Sequence, residues 1–76
     1  MIEAYLLIQN EMGAGSKVAE EVRTIPGVLL LHSVTGPYDL VARVEASELD
    51  ALSKLVDEVQ LVPGVTRTMT CPVVKL

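Results

Sequence analysis

The chain has 76 residues, half of them hydrophobic, and its six basic and ten acidic side chains leave a formal charge of −4. So short a chain makes one small domain and leaves much apolar surface exposed unless a disulfide, a metal or a second subunit supplements its core. One cysteine and one histidine exclude an internal disulfide, a zinc cage and a redox Cys-x-x-Cys, while the acidic balance argues against nucleic acid as a partner.

The first run of strand-forming residues is 4–8, followed by Gly13-Ala14-Gly15-Ser16-Lys17 and an amphipathic segment in which Val18, Val22 and Ile25 stand four and three apart. That spacing predicts a helix capped by Ser16 and ending near Pro26. Strands are expected over 28–35 and 40–45, joined by Gly36-Pro37-Tyr38-Asp39 as a tight connection in which the fixed φ of proline suits a turn. A second helix follows from Leu49, Leu52, Val56 and Val59, with Ser47 and Asp50 as a partial capping box and an end near Pro63. The last strand is expected over 65–71. Ile25-Pro26-Gly27-Val28 returns 37 residues later as Val62-Pro63-Gly64-Val65, so the chain reads as two related halves.

The order β-α-β-β-α-β over residues 1–76 is the split βαβ, ferredoxin-like plan, an α+β fold. Right-handed crossovers place the strands as 4-1-3-2 with both helices on one face of an antiparallel sheet. Nothing in the chain covers the other face. Yet Tyr5-Leu6-Leu7-Ile8 and Val28-Leu29-Leu30-Leu31 are apolar at both parities, so both faces call for burial. Two sheets packing face to face as a homodimer satisfy that demand.

Few residues carry chemistry. The glycine-rich stretch before the first helix lacks both the third glycine of a dinucleotide fingerprint and the Walker spacing, and reads as a loop. His32 has no second histidine at matching spacing, Cys71 sits beside Pro72, and Glu20, Glu21, Asp57 and Glu58 lie on polar helix faces. No catalytic residue, metal site or cofactor is implied. The connection through Gly36, Tyr38 and Asp39 is more informative, together with the hydroxyls of Thr66, Thr68 and Thr70 at period two on the last strand. A glycine lets a ligand carboxylate reach backbone N–H groups, Asp39 can neutralise an ammonium, and Thr68 or Thr70 can orient either end. The set suits a small zwitterion.

These residues resemble the effector-binding domain of the Lrp/AsnC (feast/famine) transcriptional regulators. The resemblance rests on Ile25-Pro26-Gly27-Val28, Val34-Thr35-Gly36, Tyr38-Asp39-Leu40, and Val62-Pro63-Gly64-Val65 leading into Thr66-Arg67-Thr68, and spans nearly the whole chain. It implies a ferredoxin-like module, the RAM domain, that dimerises through its sheets, joins dimers into larger assemblies and binds an amino acid between them. Gly36, Tyr38 and Asp39 would then belong to the effector loop, with Thr68 and Thr70 on the facing strand. Met1 is followed almost at once by the first strand, with no helix-turn-helix before it, so the chain resembles the stand-alone members. The expectation is an amino-acid-binding regulatory module that is not an enzyme, with full-length Lrp/AsnC-type regulators as further candidate partners and no direct contact with nucleic acid.

No basic leader precedes a long apolar run, and no apolar stretch approaches the roughly 20 residues that span a bilayer. A cytoplasmic address without membrane contact is expected. Two other readings share the topology: a dimeric small-molecule enzyme of the isomerase or monooxygenase type, and an amino-acid sensor of the ACT type. The first finds little support in a chain with one histidine, two tyrosines and neither tryptophan nor phenylalanine. The hairpin from Thr35-Gly36 to Asp39 favours the Lrp/AsnC reading over the second.

Overall fold

The computed structural model describes residues 1–76. It consists of β1 (Ile2–Asn10), α1 (Gly15–Arg23), β2 (Val28–Ser33), β3 (Leu40–Ala46), α2 (Leu49–Gln60) and β4 (Val65–Pro72). All strand pairs are antiparallel and the order is β2-β3-β1-β4, the ferredoxin-like arrangement expected from the element order. Strand β1 runs two residues further at each end than the apolar run alone marks, because Ile2 and Glu3 pair with Ala46 and Glu45, and Gln9 and Asn10 pair with β4.

One layer of core lies between the sheet and the helices. Ala4, Leu6 and Ile8 of β1, alternating with Ala42 and Val44 of β3, meet Val18 and Val22 of α1 and Leu52, Leu55 and Val59 of α2. All 14 buried residues belong to this one cluster and none is polar, so the opposite face of the sheet has no cover within the chain. Across that open face run His32, Val41, Leu7 and Met69 in one row and Leu30, Arg43, Tyr5 and Cys71 in the next. Tyr5, Leu30 and Met69 stay about two-fifths exposed.

The two halves repeat in detail. Each helix ends three residues before its Pro-Gly, at Arg23 and Gln60. The same turn follows each: Ile25 N–H donates to Val22 O and Val62 N–H to Val59 O, both at 3.1 Å, and Gly27 and Gly64 adopt φ of 101° and 99°. Each glycine carbonyl then accepts a 2.8 Å bond from the end of the other half's first strand, from Glu45 and Glu11 respectively.

Three local expectations are corrected. Ser16 and Ser47 do not cap the helices; Ala14 and Glu48 hold the cap positions without side-chain hydrogen bonds. The β2–β3 connection is wider than a four-residue turn. It spans residues 34–39 and is closed by Val34 N–H donating to Asp39 O at 2.9 Å, since β2 ends at Ser33 rather than at 35. Finally, the three threonines of β4 do not form one regular row, because the β1–β4 register shifts at Gln9 and Asn10. Thr66 falls in that shift, and its hydroxyl donates to Gln9 O at 3.1 Å.

Candidate functional site: the β2–β3 hairpin

The hairpin is tied to the end of β1 through Asp39. Its N–H donates to Ile8 O, and its carboxylate Oδ2 accepts the backbone N–H of Asn10, each at 2.9 Å. One carboxylate oxygen is thereby anchored while Oδ1 makes no hydrogen bond in the chain. The residue is half-buried, so its charge is held in place beside solvent. A negative group fixed this way is prepared to receive a cation without further ordering.

Gly36 has φ of 137°, a conformation side-chain-bearing residues rarely adopt, and a Cβ built there would have no heavy atom within 4 Å. The space beside it is open. The amides of Thr35, Gly36 and Tyr38 have no hydrogen-bond acceptor within the chain, which leaves three donors free along one loop. Tyr38 turns toward the open sheet face. Its hydroxyl donates to Met69 Sδ at 3.9 Å, and the Arg67 guanidinium carbon lies 5.8 Å from its ring centre. Gln9 completes the buttress by donating from Nε2 to Pro37 O at 3.3 Å.

Thr68 and Thr70 stand elsewhere. Their register with Ile8 and Leu6 puts them on the helix side of the sheet. Gln60 Nε2 donates to Thr68 Oγ1 at 2.9 Å. Thr70 lines a groove of about 290 Å³ between α2 and β4, with Leu52, Ser53, Val56 and Asp57 among its walls. Within one protomer, then, Gly36, Tyr38 and Asp39 come together, whereas Thr68 and Thr70 form a second polar group on the opposite face of β4. Sequence reasoning passed over Gln9, Arg67 and Met69, and strand alternation is the signal that finds them: Arg67 and Met69 alternate with the threonines and so share a face with Tyr38.

Other features are sparser. His32 is exposed on the open face and Cys71 is a free, exposed thiol. A cleft of about 440 Å³ lies where α1 meets β2 and β3, lined by Gly13, Gly15, Ser16, Arg23 and Ser33 among others. No group of three or more histidine, cysteine or acidic side chains is placed to hold a metal ion. No helix is long and apolar enough to cross a membrane.

The family model of the Lrp/AsnC ligand binding domain matches residues 3–76. The chain belongs to the Lrp/AsnC ligand-binding domain family. Protein TTHA0845 of Thermus thermophilus superposes with a TM-score of 0.94 at 34% identity, over 100% of this chain and 96% of its own. A hypothetical protein of Pyrococcus horikoshii follows at 0.89 and 27% identity, covering 100% and 93%. The transcriptional regulator NMB0573 of Neisseria meningitidis, solved as a complex with L-Met, shares the fold at 0.87 and 23% identity, over 97% of this chain and 50% of its own. Among curated proteins none matches the chain by sequence. The Lrp/AsnC assignment gives the chain a regulatory ligand-binding fold.

Proposed function

We propose that this Lrp/AsnC-type chain is an amino-acid sensor whose effector site is built on the 34–39 hairpin. The observation that carries the reading is the pairing of Asp39, with one oxygen anchored and one free, with three unpaired amides around the open Gly36. A free amino acid presents the complementary charges: its ammonium meets Asp39 and its carboxylate meets the amides, with Tyr38 as an apolar and hydroxyl-bearing wall. The L-Met complex of the Neisseria regulator supports a ligand of this chemical class.

Thr68 and Thr70 enter this proposal from a neighbouring copy, because their own hairpin lies across the sheet from them. Two protomers pack their open sheet faces together, and dimers then meet so that one hairpin faces the α2–β4 groove of the next. A ligand bound at such a junction favours one assembly over others by mass action. Co-assembly with full-length Lrp/AsnC-type regulators in the cytoplasm would let the sensor change how those regulators assemble.

The test is a melting series with each of the twenty amino acids, run beside light scattering. Ligand at a hundredfold excess over its Kd stabilises the folded state by about 2.7 kcal/mol, several degrees for so small a domain. One chemical subset is expected to raise the melting temperature of the wild type. Asp39→Asn keeps an acceptor for Asn10 N–H and should fold normally while losing that response. A response that survives in Asp39→Asn, or none in the wild type, would overturn the reading.

A further inference from the structure

We propose that Arg67 is the specificity-determining cation of this site, binding the α-carboxylate of the amino acid. The inference rests on the reading of the hairpin as an amino-acid site and names the group that reads one end of the ligand. Arg67 pairs in register with Gln9, whose side chain reaches Pro37 O, and its guanidinium lies over the Tyr38 ring. Strand pairing and ring contact thus hold it beside the loop that carries the free amides. Arg67 itself is unspent. The chain's ion pair joins Arg43 to Glu3 at 3.1 Å, and no carboxylate or carbonyl accepts from Arg67. A planar guanidinium offers a fork of N–H donors that matches a carboxylate bidentately.

The two charged groups stand on either side of β1. Asp39 is anchored to the end of β1 on the β3 side, while Arg67 stands on β4, across β1 from it. In a chain with four more acids than bases, a guanidinium without an acid partner over the Tyr38 ring of the hairpin offers a local site for an anion. Stacking on Tyr38 also limits the rotamer freedom that an exposed arginine would lose on binding. The α-carboxylate is therefore gripped by both backbone and side chain, and a ligand whose carboxylate is neutralised loses the side-chain part.

Calorimetry decides the matter with each amino acid that binds, compared with its own α-carboxamide. The wild type is expected to prefer the free acid by at least about tenfold, the scale of one charge-assisted hydrogen bond. In Arg67→Gln that preference should collapse toward parity with the affinity for the carboxamide nearly unchanged, and Arg67→Lys should restore part of it. Equal weakening of acid and carboxamide in Arg67→Gln would make Arg67 only a prop for Tyr38, and an unchanged preference would remove it from the site; either result overturns the proposal while leaving the sensor intact. If no amino acid binds the wild type, the sensor reading fails and Arg67 falls with it. Unchanged melting of the unliganded variants shows that the fold is preserved.

Discussion

Gly27 and Gly36 both sit at positive φ, yet their surroundings separate a structural glycine from one that faces ligand space. A Cβ on Gly27 would come within 2.6 Å of Leu55 Cδ1 and 2.8 Å of Glu45 O, where the backbone of β3 closes onto the first Pro-Gly turn. Gly27→Ala combines a left-handed backbone penalty with overpacking and should cost about 2–4 kcal/mol in urea unfolding. Gly36→Ala meets no atom and should cost about 1–3 kcal/mol, from backbone strain alone. The proposed site predicts the opposite ranking for ligand response: Gly36→Ala loses it by filling the open space, whereas Gly27→Ala keeps it wherever the protein stays folded. A hairpin that tolerates alanine at 36 without loss of response would not be the site.

Secondary-structure elements differ in how far the sequence disclosed them. Helical spacing located both helices, since an apolar stripe at three and four residues has one face to bury. The caps could not be read the same way. Ser16 and Ser47 are close in sequence to the helix starts, but the chain enters α1 and α2 through Ala14 and Glu48. Strand parity was legible only in part. Register shifts between Val28 and Leu30 and at Gln9–Asn10 interrupt the alternation locally, which is why Thr66 leaves the row that Thr68 and Thr70 keep. Alternation within β1 is regular, and it makes a prediction. Leu6 is fully buried between α1, α2 and the sheet, so Leu6→Ala should lose about 2–5 kcal/mol. Tyr5, its neighbour on the open face, should lose much less when changed to alanine under conditions where the chain is monomeric.

At the scale of the whole molecule the one-sided core is the dominant fact. Only 14 of 76 residues are buried, all on the helix side, so a sheet face bearing Tyr5, Leu7, Leu30, Val41 and Met69 is left to water. Burial of apolar area drives association at roughly 25 cal/mol per Å² before the costs of docking are counted. The proposed face-to-face dimer predicts that the wild type sediments at a multiple of 8.2 kDa. Leu7→Lys lies at the centre of the face, opposite Val41 and Met69, and should reduce the mass to one protomer with the circular dichroism of the fold retained. A wild type that is monomeric at micromolar concentration would leave the open face without its proposed partner.

The sequence by itself determined the element order, the two related halves, the sheet order and the family likeness, because hydrophobic period and Pro-Gly turns are local signals and short right-handed connections admit few topologies. It also disclosed that both sheet faces are apolar. The tertiary structure decided which residues share a face and a site. It joined Asp39 to Asn10, Gly27 to Glu45 and Tyr38 to Arg67, residues far apart in the chain, and it moved Thr68 and Thr70 to the far side of β4. The side taken by Thr68 and Thr70 follows from plain alternation along β4, whereas the shifts at Val28–Leu30 and Gln9–Asn10 are irregularities that no local pattern announces. Leu29 lies among apolar neighbours and Thr66 beside polar Arg67, so alternation does not mark either shift, and only pairing with the neighbouring strand fixes the face.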